Sequence, residues 1–442
     1  MRPSWSILAI VLSLMLTACG DSPAVPTVVP TATSTVMPTR APTFAPSLTP
    51  TAVVPSPTRP PNSATPTRTA GSPGQGLAQI PACPEMGKPL FTTMPMALDE
   101  FLAFRPLGWT SPPIHVFPAK HSNFALARPG ETPPTRAVYF PGDLWVTEIN
   151  STEYVGLNKT GYGLTFYPCR EFKSYFGHLS GVSDKILAQL KTSDVQCKPP
   201  YETGGTPVKA CSKITLLRVN AGELAGYSGD AAGVDFGAVD YRIPPLGFAN
   251  PNHYMKEMLH YVSPVGYFTS EVKAQFETKL ASYDGTALRT AEPKVGLYMQ
   301  DIPGTAQGNW FLPGKNLAIP FLQPDEFMAL VHDYIGAAEP IFSVGTSVKG
   351  LRVGVYGFHP QPAGQINRDF GQVKADGSIY CYDTFRVDRT AGGIPLGRPN
   401  GILLLTMPTT TTLRIEKQGT ATSTCASTTP WIFTDAATTF ER

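Results

Sequence analysis

The chain has 442 residues, enough for two folded domains with additional segments. Its net charge is +2 and only 15% of its residues are charged. No basic stripe interleaved with aromatics stands out, which argues against nucleic acid as a partner. The 46 prolines are densest at the front of the chain, with 14 before residue 76, so composition alone separates a linker from a folded part.

Arg2 supplies a short positive start, and Ile7 to Leu16 is an apolar run of signal-peptide length, too short to span a bilayer comfortably. The run stops at Leu16-Thr-Ala-Cys19-Gly20. This ending resembles the lipobox of bacterial lipoproteins. The resemblance implies a signal peptide with lipobox over residues 1–19, cleavage before Cys19, lipid on the Cys19 thiol, and an extracytoplasmic protein anchored to the bacterial cell membrane. Several acyl chains on one residue hold firmly where a single chain is marginal. Residues 20–76 are a Pro/Thr-rich tract. Each proline fixes φ and removes a donor, so the tract is expected to be an extended, disordered spacer.

Six cysteines follow: Cys83, Cys169, Cys197, Cys211, Cys381 and Cys425. An even number in an exported chain favours disulfides. Six cysteines allow fifteen pairings, and sequence does not choose among them. Cys197 with Cys211, across a turn-rich loop, is the simplest guess. Cys381 with Cys425 would tie the C-terminal region to itself, and Cys83 with Cys169 would staple the start of the folded part to its middle. None has the close C-x-x-C spacing of a zinc site.

The folded part is expected from about Leu77. Met94 to Phe104 reads as a short helix ended by Pro106-Leu-Gly-Trp109. From His115 to Val239, short β-type runs alternate with Gly/Pro/Asn turns, at 115–117, 137–140, 144–149, 153–157, 164–167, 172–176, 214–219 and 234–239. That spacing indicates a sandwich or barrel. Ser183 to Leu190 reads as a short helix. Asn252 to Val262 and Ser270 to Ser282 read as helices of a connector over 246–300. Residues 301–442 are again β-rich, with strands at 341–344, 351–358, 379–383, 402–407 and 411–417. One helix is expected there, Gln323 to Ile335, with Pro324 near its first turn.

Four segments between 113 and 242 resemble the LytM/lysostaphin-like zinc metallopeptidases, which cut peptidoglycan cross-links. They are Pro113-Ile-His-Val-Phe-Pro-Ala-Lys-His121, the run Arg136 to Thr147, Tyr175-Phe-Gly-His178-Leu-Ser, and Val219 to Gly229. The resemblance implies a mainly β fold with a few short helices: a LytM-like β-sandwich (a barrel-sandwich hybrid) over 77–245, followed by the connector and the C-terminal β-rich region. In that family a zinc sits on His, Asp and His with an open position for water. The metal activates the water and polarises the scissile carbonyl.

This sequence departs from the pattern. His121 takes the place of the first ligand, but Ala125 stands where the family has its aspartate. The closing His-x-His is replaced by Gly233-Val-Asp235, while His178 falls on a catalytic histidine. The expectation is therefore a non-catalytic domain that binds or scaffolds at the cell envelope, on peptidoglycan or another surface polymer, with no cofactor. The alternative is a zinc-dependent endopeptidase with a rewired metal site drawn from His115, His121, His178 and Asp235 or Asp240, with His121 and Asp235 as the first choice of ligands and His115 as a substitute. Trp109, Trp145, Tyr162 and Trp310 are candidates for a sugar-stacking platform. No Gly-x-Ser-x-Gly elbow or phosphate-binding loop occurs. Oligomeric state is not readable.

Overall fold

The structure, a computed structural model, describes residues 76–203, 206–229, 231–318, 324–387 and 399–442. The leader, Cys19 and the Pro/Thr-rich tract up to residue 75 lie outside them. The described protein is mainly β. Its strands are β1 (Ala103–Arg105), β2 (Ser122–Ala125), β3 (Ala137–Tyr139), β4 (Leu144–Tyr154), β5 (Lys159–Cys169), β6 (Phe172–Leu179) and β7 (Gly181–Val182). These are followed by β8 (Gln196–Cys197), β9 (Tyr201–Thr203), β10 (Thr206–Val219), β11 (Leu224–Tyr227), β12 (Gly233–Asp240) and β13 (Tyr261–Val262). The C-terminal set is β14 (Gly308–Trp310), β15 (Met328–His332), β16 (Pro340–Val344), β17 (Gly354–Gly357), β18 (Ile379–Arg386), β19 (Pro399–Thr409), β20 (Thr412–Gln418) and β21 (Thr438–Glu441). Two short helices are α1 (Asp184–Gln189) and α2 (Ser270–Glu277). Among the described residues no helix is long and apolar enough to cross a membrane.

The first sheet runs β1-β2-β12-β6-β5-β4-β10-β8, with β13 added to β12 and β9 to β10. Its strands alternate. Phe124, Val234, Phe236, Phe176, Leu164 and Phe166 point into one core, each fully buried ring contributing roughly 2 kcal/mol. Their neighbours Asn123, Asp235, Tyr175 and Thr165 share the opposite face, since paired residues in register point the same way. A small sheet, β3-β11-β7, flanks this layer.

The second large sheet is an up-and-down meander, β14 through β21 in sequence order. Phe311 and Glu441 exchange N–H···O bonds of 2.8 Å in both directions, which joins the first strand to the last and closes a barrel. Its interior is filled by large side chains, among them Trp310, Phe342, Tyr356, Phe370 and Tyr382. Closure removes the exposed edges a flat sheet would carry.

Three disulfides form: Cys83–Cys169, Cys197–Cys211 and Cys381–Cys425. The helix expected at Met94–Phe104 is absent. Ala97 and Glu100 close a turn there, and the chain passes into β1 to pair with β2. The expected helix at Gln323–Ile335 is a short 3-10 turn, Pro324–Glu326, and then β15. Met328, Ala329, Leu330 and Val331 are all fully buried. An unbroken apolar run suits a strand buried on both faces, and β15 lies between β14 and β16. The segment 251–262 is two 3-10 turns followed by β13, and 115–117 is a narrow loop closed by a Ser111–His115 bridge.

Candidate functional site

The centre of the site is the middle of β12. Asp235 lies opposite Asn123 on β2 and opposite Gly177 on β6. Its Oδ1 accepts from Asn123 Nδ2 at 2.9 Å and stands 3.3 Å from His121 Nδ1. Its Oδ2 stands 3.3 Å from His178 Nε2. The fold thus brings together His121, His178 and Asp235, residues spread over more than a hundred positions of sequence.

His178 reaches Asp235 by way of a bulge. Leu164 pairs with Phe176 and Tyr162 with Leu179, so β6 carries one more residue than β5 between these pairs. His178 takes a φ of 62°, in the left-handed region that costs a non-glycine residue energy. A regular strand alternates faces and would send 177, not 178, to the face of Asp235. Gly177 leaves the room: a Cβ there would stand 3.3 Å from the Asp235 carboxylate. The His178 side chain is 61% exposed while Asp235 is 14% exposed.

His121 is held on the inner side of the cluster. Trp109 Nε1 donates to the His121 carbonyl at 3.1 Å, and the Arg105 guanidinium stacks on the Trp109 ring at 3.5 Å. The His115 ring wedges between Trp109 and His121, with centroids 4.2 and 5.2 Å away.

Charge is distributed unequally over these groups. Burial, helped by the neighbouring His121, pushes His115 down to about 3. Burial also lowers His121, outweighing the pull of Asp235. Both rings are therefore neutral near neutral pH. Burial alone would raise the Asp235 carboxyl, but His121, His178 and the Asn123 amide together hold it well below the usual carboxylate range. The hydrogen bond and charge of Asp235 raise His178. Of the three imidazoles, the exposed His178 ring is therefore the one that most readily holds a proton, with the carboxylate behind it. Such a pair presents an oriented, positively biased donor to solvent and can give or take a proton at His178.

Ala125, which the resemblance sets at a ligand position, is sealed. Ala125 is fully buried and packs with Ala103 and Ala281, with Tyr283 against them. Its strand partner is Gly233. A Cβ on Gly233 would lie 2.5 Å from Asn123 Oδ1 and 2.7 Å from the Phe124 carbonyl, so no side chain fits there beside Asn123. Among the described residues no group of three or more His, Cys, Asp or Glu is arranged to hold a metal ion. His121, His178 and Asp235 are of the donor types that zinc takes, and they lie together as the rewired-ligand alternative requires.

The remaining candidates fall elsewhere. Asp240 is fully buried and bonded by Arg242 and the Tyr267 hydroxyl, away from the histidines. Trp109 and Trp310 are buried, and the Trp145 ring is covered by the Arg218 guanidinium at 4.2 Å, so these three do not form an open sugar platform. Asn123 was missed in the sequence. Its place directly across from Asp235 follows only from the β2–β12 register.

Comparison with protein-family models and with curated proteins finds no match for this chain.

Proposed function

We propose that the chain is a surface-anchored lipoprotein of the bacterial envelope, and that its first β-domain is a LytM-like domain that binds a wall polymer without cutting it. The observation that carries the reading is the Asp235 carboxylate, bonded by Asn123 and flanked by His121 and His178. Its oxygens face protein donors where the family's zinc would need free lone pairs. The packing of Ala125 against Ala103 and Ala281 supports the same reading, since a metal ligand is replaced by a fitted apolar contact. In this role His178 is the binding group: its exposed ring offers a charge-assisted donor to carboxylate or carbonyl oxygens of a peptide-bearing polymer.

The test is elemental analysis of the purified full chain in detergent, with pelleting on isolated peptidoglycan and a cleavage assay on wall peptides. The expected result is less than stoichiometric zinc, co-pelleting reduced in His178→Ala, and no turnover. Stoichiometric zinc together with peptide cleavage that disappears in His178→Ala would instead establish the rewired endopeptidase.

A further inference from the structure

A cavity of about 170 Å³ lies between the segment 289–300 and the β15–β16 end of the barrel. Its size is close to the ~150 Å³ of an engineered cavity that takes benzene, so it suits a molecule of roughly six to ten heavy atoms. Arg289 lines it and is only 5% exposed. The guanidinium is fixed from two sides: Nε donates to the Pro293 carbonyl at 3.0 Å and Nη1 to the Tyr334 carbonyl at 2.6 Å. Among the described residues Arg289 makes no ion pair, and Nη2 has no protein acceptor. A buried guanidinium with no carboxylate in direct contact is costly, and its planar fork is pre-organised for one.

The rest of the lining argues against a simple anion. Asp333, 3% exposed, and Glu292 line the same cavity, and both raise the Arg289 pKa through space against the effect of burial. They would repel a bare anion and attract a cation. Glu292 is on the exposed rim, its Oε2 taking the Lys294 amide at 3.1 Å. The walls are rigid. Gln300 bonds both the amide and the carbonyl of His332, at 2.9 and 3.2 Å, and His332 Nε2 sits 2.9 Å from Asp369 Oδ2. Leu107 and Leu297 supply an apolar strip.

We infer that this cavity binds a small zwitterion, an α-amino acid with a short side chain, its carboxylate on Arg289 and its ammonium toward Glu292 and Asp333. The site is separate from the Asp235 cluster and does not rest on it.

The test is calorimetric titration of the full chain with alanine, acetate, methylamine and inorganic phosphate. Alanine is expected to bind at least tenfold more tightly than acetate, methylamine or phosphate. Glu292→Gln, a rim change that touches no core contact, should weaken alanine about fivefold or more and leave the melting temperature unchanged. Arg289→Gln should abolish binding; because Arg289 also ties two backbone carbonyls, the Glu292 variant stands as the independent readout. Acetate or phosphate binding as well as alanine, no heat with alanine, or alanine binding unaltered in Glu292→Gln would each overturn the assignment.

Discussion

Replacing His178 by glycine should leave the protein more stable than replacing it by alanine. Both variants lose the same contact with Asp235, so that contribution cancels in the comparison. What differs is the backbone at φ 62°. A left-handed residue with a Cβ costs about 1–2 kcal/mol, which glycine avoids. Glycine gives back about 0.5–1 kcal/mol through the entropy of the unfolded chain. The net advantage of glycine is therefore about 0.5–1 kcal/mol. With a urea m-value of about 2–3 kcal/mol/M, the midpoint of His178→Gly should lie roughly 0.3 M above that of His178→Ala. Thr165 on β5 shares this sheet face and has no positive φ, and there the order should reverse, with Thr165→Gly below Thr165→Ala. Urea titration of the four variants reads both signs. If glycine is the worse residue at 178 as well as at 165, the bulge holds no strain and the argument for a deliberately aimed histidine fails.

His178 also dictates a pH dependence. Its folded value is raised by Asp235, so its contribution is fully present below an unfolded value of about 6.5 and is lost as pH rises through the raised one. The stability gap between the native chain and His178→Gln, below about 1 kcal/mol for so exposed a ring, should be largest below an unfolded value of about 6.5 and shrink as the pH rises through the raised folded one in urea titrations. Ala125→Asp should destabilise by about 3 kcal/mol, because it buries a carboxylate among alanines; urea titration with elemental analysis checks this, and a stabilised, zinc-loaded variant would contradict it. Removing Cys381–Cys425, with both cysteines fully buried and a sequence separation of 44, should cost about 4 kcal/mol by chain entropy. The shorter, exposed Cys197–Cys211 loop of 14 residues should cost about 3 kcal/mol, so thermal melts should rank the two double-alanine variants in that order.

Much of the strand content was legible, because Leu144–Ile149, Phe172–Phe176 and Val234–Val239 alternate or run apolar between turn residues. β15 was not. Phe-Met-Ala-Leu-Val carries no period that separates a doubly buried strand from a helix, and Pro324 imitates a helix start. The helical spacing of 252–262 was overridden in the same way: Tyr261 pairs with Val239 on β12, and Glu257 is held by Lys173 and by the Tyr241 and Tyr261 hydroxyls. At the site, His121, His178 and Asp235 could be singled out from the sequence. The bulge at Gly177-His178, the Asn123 bond and the Ala125 packing could not, since each depends on register across strands far apart in the chain. Glycine at 177 and 233 was visible, but its reason, close approach of Asp235 and Asn123, exists only in three dimensions.

The bond pair between Phe311 and Glu441 has a consequence for how the barrel forms. The strands follow one another in order around the wall, so every strand pairing but one joins strands consecutive in sequence and can zip up hairpin by hairpin. The exception joins the two ends. Until it is made, the ribbon has two raw edges, at β14 and at β21 or whichever strand is then last, each a template for pairing with another chain. Loss of the Thr438–Glu441 strand would therefore not trim the barrel to a smaller one. It would turn a surface without borders into an open sheet, with self-association as the expected outcome.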